Sequence, residues 1–315
     1  IEKKMKFAES RKIKAGLLSL LFISYSSFAT YAYAQSLDSV SHIHHIKAVE
    51  NKVFVLTHEG LYELVGKNKM NLVGKDKFDV MGFTTLGKAL VASGHPSKGS
   101  KMPNPIGLVK SIDGGSTWKA VSLVGKVDFH FLEGAGSDLY GSESQSGNLM
   151  YSKDSGKTWS SLGMNTFTDI AVSPVTSGMA IAIKNSELLL TKNAFKSTTK
   201  IKNTLKFTQI EWRNSGLYGL SGTSLYKSSD SGKAWKKLNT FKGLPEILST
   251  SDQLMLVTVG SDIYTSTDAG RKFKIISYFI NVEQYSFKYL IFYKKYNITS
   301  DLTKTFIQTC HTCIK

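Results

Sequence analysis

"SIDGGSTWKAV" runs from Ser111 to Val121, and "SKDSGKTWSSL", from Ser152 to Leu162, repeats its Ser-x-Asp-x-Gly-x-Thr-Trp frame. The frame returns around Asp230 in "SSDSGKAW" and around Asp268 in "STDAGRKF", with a decayed copy, "TKNAFKST", that carries Asn193 at the Asp position. Measured on that position the intervals are 41, 39, 37 and 38 residues. A period this regular is the signature of an architecture built from one repeated supersecondary unit.

Each copy lies between two short β-type runs, such as "IGLVK" before and "WKAV" after the first. Asp-x-Gly between strands is hairpin chemistry: the carboxylate caps the turn, Gly supplies positive φ, and the aromatic residue closes over the strands. Four short strands per unit of about forty residues describe a propeller blade. The expected fold is therefore all-β, a β-propeller of six or seven four-stranded blades, with residues 35–276 as the propeller.

The phrase resembles the Asp-box, or BNR repeat, of sialidases, sortilin-type receptors, xyloglucan-active hydrolases and photosystem II assembly-factor-like propellers, where it marks an outer hairpin. Across residues 42–276 a closer resemblance is carried by "HIHHIKAV", "VLTHEGLYEL", "DVMGFTTL", "LVASGHP", "NPIGLVKSIDGGSTW" and "DFHFLE". Together these are similar to an exported bacterial propeller family labelled glycosylhydrolase. The resemblance implies a glycan as substrate or ligand.

The period also aligns the unit starts: "HIHHIKAV", "DVMGFTTL", "DFHFLEGA", "DIAVSPVT", "QIEWRNSG" and "EILSTSDQ". Their first residues are His42, Asp79, Asp128, Asp169, Gln209 and Glu246. Strand alternation adds His44, Met81, His130, Ala171, Glu211 and Leu248 to the same side. Neighbouring strands are antiparallel, so His58, His95 and Glu143, at the ends of second strands, share this face, and the Asp-x-Gly hairpins lie on the opposite one. A lone histidine in such a place reads as a hydrogen-bonding surface residue. Here His42, His44, His58, His95 and His130 all fall in register within the first three units, which marks this face as the functional mouth.

Three functions suit such a mouth. Sialidases clamp a carboxylate with an arginine triad, and beyond residue 34 the chain has only Arg213 and Arg271, so that activity is excluded. A glycoside hydrolase needs two carboxylates, for which Asp79, Asp128, Asp169 and Glu246 are the positional candidates, although carboxylates at strand starts also cap backbone donors. Imidazoles with a thioether and carboxylates suit copper or zinc, with His42, His44, Met81, His95 and His130 as candidate ligands. The third reading is a protein-binding propeller without chemistry.

Composition narrows the partners. Of 40 basic residues only three are arginine, so a formal charge of +16 reads as a lysine-rich solvated surface and nucleic acid is not an expected partner. A monomer is expected. Residues 1–34 join a basic stretch to the apolar run "AGLLSLLFISYSSFATYAYA" ending in Ala32-Tyr33-Ala34, the pattern of an export signal cleaved before Gln35. That pattern predicts a secreted or envelope protein that meets the membrane only through this segment. The only cysteines are Cys310 and Cys313. They lie in residues 277–315, which contain no Gly, Pro or Trp, break the repeat, and read as out-of-frame sequence. An open ring is then expected, with a further strand or blade needed to seal it.

Overall fold

The computed structural model describes residues 34–278 apart from Gly99. The export segment, the "CHTC" pair and nearly all of the tail lie outside the described residues.

Six four-stranded antiparallel blades follow one another along the chain. Blade 1 comprises Ile43–Val49, Lys52–Thr57, Gly60–Gly66 and Lys69–Leu72, and blade 2 comprises Phe78–Leu86, Ala89–Pro96, Leu108–Ser111 and Lys119–Ser122. Blade 3 comprises Phe129–Ala135, Asp138–Glu143, Asn148–Ser152 and Ser160–Met164, and blade 4 comprises Asp169–Val172, Ala180–Lys184, Glu187–Thr191 and Thr199–Ile201. Blade 5 comprises Phe207–Arg213, Gly216–Ser221, Ser224–Ser228 and Lys236–Thr240, and blade 6 comprises Pro245–Thr250, Met255–Val259, Asp262–Ser266 and Lys274–Tyr278. A short strand, Gln35–Ser36, pairs with the outer edge of blade 1. Ser277 and Tyr278, assigned to the tail by composition, complete the outer strand of blade 6.

Burial explains the sequence texture. Second strands such as "KVFVLT" and "AIAIK" are buried along almost their whole length, because both faces of a blade pack against neighbouring blades. Outer strands such as "SSLGM" and "KKLNT" are largely exposed and tolerate polar residues. Alternate side chains therefore serve different interfaces. Ala171 packs towards blade 5 while its neighbour Ile170 packs towards blade 3.

Six apolar clusters result, one per junction, and the cluster joining blade 6 to blade 1 contains Leu37, Ile43, Val55, Leu256 and Ile263. Among the described residues six blades thus seal the ring, where the sequence leads one to expect a further strand or blade. The inner strands confirm the closure. Each turns an edge to the axis, and its buried N–H groups need acceptors. The preceding blade supplies them: Ser93 Oγ to Phe129 N at 3.0 Å, Asp169 Oδ2 to Ile210 N at 2.8 Å, and Gln209 Oε1 to Leu248 N at 2.9 Å. Ser249 Oγ continues the pattern across the closure, accepting from Ala48 N at 3.0 Å.

The repeated phrase is structural. Ser111 Oγ accepts from Gly115 N at 2.8 Å, and Asp113 accepts from Thr117 N at 2.9 Å and Thr117 Oγ1 at 2.6 Å. The same bonds recur around Asp154, and their backbone part recurs around Asp230 and Asp268. In the decayed copy Thr191 and Asn193 keep the backbone bonds, and Phe195, at a φ of 61°, takes the positive-φ position that the other copies give to Gly.

Candidate functional site at the propeller mouth

Cross-strand registers place Ile43 opposite Thr57, Asp79 opposite His95, and Phe129 opposite Glu143, so first-strand starts and second-strand ends share one face. The Asp-x-Gly hairpins follow third strands and lie at the other end. The pairing skips one residue at His44, Met81, His130, Thr208 and Glu246. A bulge leaves its extra residue unpaired and re-aims its side chain. These five residues are therefore the equivalent positions of the mouth.

Two groups form there. In the first, Asp79 of blade 2 reaches back to blade 1: Oδ1 lies 2.8 Å from His44 Nε2 and Oδ2 lies 2.8 Å from His58 Nδ1. The two imidazole nitrogens are 3.3 Å apart. His42 completes the group by ring packing, with centroids 4.9 Å from His44 and 5.3 Å from His58, and it has no hydrogen bond among the described residues. His44 is almost wholly buried, and its Nδ1 has no hydrogen-bond partner among the described residues.

In the second group Asp128 of blade 3 joins His95 of blade 2 to His130 of its own strand. His95 Nε2 is 3.0 Å from Asp128 Oδ2, and His130 Nε2 contacts the same oxygen. Ser144 Oγ donates to that oxygen as well, at 3.0 Å, and His95 Nδ1 lies 3.1 Å from Asn104 Oδ1. One ligand atom from each of His44, His58 and Asp79 lies within 4.8 Å of the others, and the same holds for His95, Asp128 and His130.

Electrostatics follows from this pairing. Burial alone would raise Asp79, but the hydrogen bonds from His44 and His58 outweigh it and hold the carboxyl below its ordinary range. Asp128 is depressed in the same way by His130 and His95. The bond to Asp128 lifts His95 to about 9, and the bond to Asp79 raises His58. His42, desolvated and flanked by His44 and His58, falls to about 4 and is neutral at physiological pH.

Gly94 makes the close approach possible. Its φ is 151°, and a Cβ there would stand 1.9 Å from Asp79 O. Only a residue without a side chain lets the second strand of blade 2 lie this near the first where Asp79 and His95 are paired.

His42, His44, His95 and His130 lie in the two groups, and Asp79 and Asp128, singled out as acids, sit at their centres. Met81 occupies the bulge position of blade 2 but belongs to neither group. Asp169 is buried on blade 4, where it accepts the Ile210 backbone N–H. Glu246, at the bulge of blade 6, makes no hydrogen bond or ion pair among the described residues, and burial raises its pKa. Sequence alone places His58 at the mouth but not among the ligands, and Asn104 and Ser144 carry no sequence signal. Glu143 caps a turn, accepting from Gln145 N at 2.8 Å and from Ser146 N.

Glu211, which the period places in the mouth, lies deeper. Counted from the bulges it is equivalent to Lys47 and Glu133, each three residues beyond. Lys47 Nζ is 3.1 Å from Glu133 Oε2 and 3.6 Å from Glu211 Oε1, and Arg213 Nη2 is 3.1 Å from Glu211 Oε2. Blades 1, 3 and 5 are not neighbours, so these side chains can meet only on the axis. They cross the channel beneath the mouth. Burial raises Glu211, whereas Glu133 and Glu211 hold Lys47 above its ordinary value despite its burial.

The fold and mouth define a six-bladed β-propeller with a histidine- and aspartate-lined opening. No family model and no curated protein sequence matches the chain. Among solved structures it is similar to YCF48 bound to a D1 peptide, at 15% identity and a TM-score of 0.47, over 77% of this chain and 83% of that one. It is also similar to PorZ, described as an essential bacterial surface component of the type-IX secretion system of Porphyromonas gingivalis, at 14% identity and a TM-score of 0.51. A third similar structure is the GH74 enzyme of Niastella koreensis, at 14% identity and a TM-score of 0.50. The matches to PorZ and the GH74 enzyme cover 77% and 76% of this chain but only 34% and 37% of theirs. At these identities the likeness is one of fold.

Proposed function

We infer that the chain is an exported Asp-box propeller whose mouth binds a divalent transition-metal ion, zinc or copper, through His44, His58 and Asp79. The observation that carries this reading is the 3.3 Å separation of His44 Nε2 and His58 Nδ1 above one carboxylate. An ionised carboxylate only accepts, so each nitrogen must present a proton to it, and two N–H groups then face each other. One cation in place of both protons removes that conflict. Ligands about 2.0–2.1 Å from a tetrahedral ion stand roughly 3.3 Å apart, which is the spacing of the two nitrogens. His42, neutral and without a hydrogen bond among the described residues, stands beside them as a further nitrogen donor.

A glycan-directed hydrolase draws less support from the mouth. Such an enzyme needs a protonated carboxyl paired with a second carboxylate. Asp79 and Asp128 are held ionised by imidazoles and Asp169 is committed to a backbone N–H, which leaves Glu246 without a carboxylate partner. The hydrolase reading then rests on the sequence resemblance and on Glu246.

The two separate in one experiment on the purified full chain. Uptake of Zn²⁺ or Cu²⁺, reversed by a chelator and lost in His44→Ala, supports the metal reading. No metal uptake, together with reducing-sugar release that disappears in Glu246→Gln, would replace it with the hydrolase.

A further inference from the structure

The geometry points to a second metal position, at His95, Asp128 and His130, beside the first in the same mouth. This proposal rests on the metal-binding reading above, because the ion at each position is of the same class.

Asp128 is the first reason. Its side chain is only 2% exposed. Three groups crowd its Oδ2, namely His95 Nε2, His130 Nε2 and Ser144 Oγ. Its Oδ1, also buried, has no hydrogen-bond partner among the described residues. A buried carboxylate is normally satisfied on both oxygens. One saturated and one bare oxygen, with two imidazoles at hand, is the donor arrangement of a carboxylate prepared for a cation.

Asn104 is the second reason. Its amide oxygen lies 3.1 Å from His95 Nδ1. A carbonyl there holds a ring proton on Nδ1, so it is the Nε2 proton, shared with Asp128 Oδ2 at 3.0 Å, that a divalent cation would replace, taking both atoms as ligands. Metal-bound histidines usually donate their remote N–H to an oxygen in this manner. Asn104 is thus a positioning residue for the second ion.

The spacing of the two positions comes from blade 2. Asp79, a ligand of the first ion, and His95, a ligand of the second, are direct cross-strand partners. Paired residues of an antiparallel ladder have Cα atoms about 4.5–5.5 Å apart, so the two ions share one opening rather than opposite sides of the ring.

The test is the number of Zn²⁺ ions bound per full chain, by equilibrium dialysis with metal analysis and by native mass spectrometry. Two ions are expected in the unaltered protein. Asp128→Asn and His95→Ala should each leave one, and Asp79→Asn should also leave one, the other. Asn104→Ala should retain two but weaken one about tenfold or more. His95 is 41% exposed, so its variant keeps the test usable should Asp128→Asn fail to fold. A single ion lost in Asp79→Asn and unchanged in His95→Ala overturns this proposal and leaves the first site standing. No bound ion in the unaltered protein overturns both.

Discussion

Asp79 and His95 face each other across one pair of strands in blade 2, yet they serve different neighbours. Asp79 gathers His44 and His58 of blade 1, and His95 pairs with Asp128 of blade 3. Blade 2 is therefore the hinge of the whole mouth, and both groups depend on its geometry.

Gly94 sets that geometry. Gly94→Ala is expected to lower stability by about 1–3 kcal/mol, because the new methyl group must displace the Asp79 carbonyl, and to weaken metal uptake by both groups at once. Urea unfolding and metal titration of the same preparation check it. A variant with unchanged midpoint and uptake would show that the strand approach is not needed.

Lys47 pairs with two buried carboxylates on the axis, Glu133 and Glu211, the second of which also meets Arg213. Lys47→Met should cost about 3–5 kcal/mol, the range for removing one partner of a buried ion pair. Adding Glu133→Gln and Glu211→Gln should recover part of the loss, since the buried carboxylates are then gone and only Arg213, still bonded to Thr250 O, has lost its charged partner. Guanidinium unfolding of the single and triple variants measures both effects.

The hairpins carry a pH signature. Threonine hydroxyl and backbone N–H bonds hold Asp113 and Asp154 at about 2 in the folded chain, below the ordinary unfolded value of about 4. A depressed folded pKa stabilises above the unfolded value, and that contribution is lost as pH falls from about 4 towards 2. The thermal midpoint should fall across this interval, and Asp113→Asn with Asp154→Asn should flatten the fall. An equally steep fall in the double variant would place the acid sensitivity elsewhere.

Binding to the folded state alone must raise stability. At a Zn²⁺ concentration about 100 times the dissociation constant the gain is about 2.7 kcal/mol. Calorimetry with and without a chelator should show a rise in Tm with zinc for the unaltered chain and a much smaller one for His58→Ala. An equal rise in both would place the stabilising ion away from His58.

For export, mass spectrometry of secreted material should find an N-terminus at Gln35. An intact leader on cytoplasmic protein would count against that reading.

The sequence by itself determined the blades. Asp113, Asp154, Asn193, Asp230 and Asp268 recur because each must cap the same hairpin with bonds that span only four residues, and local chemistry of that kind is written locally. It also put His42, His44, His58, His95 and His130 on one face, because antiparallel pairing fixes which strand ends coincide. Tertiary structure alone decided the rest. A one-residue bulge at Thr208 moves that residue into the mouth column and sends Glu211 to the axis, and a bulge has no fixed residue type to betray it. Closure by six blades depended on whether Leu256 and Ile263 could pack against Ile43 and Val55, the last blade against the first. The pairing of Asp79 with His44, or of Lys47 with Glu133, joins residues 35 and 86 positions apart. Such partners are chosen by the angle between blades around the ring, a quantity that no single repeat contains.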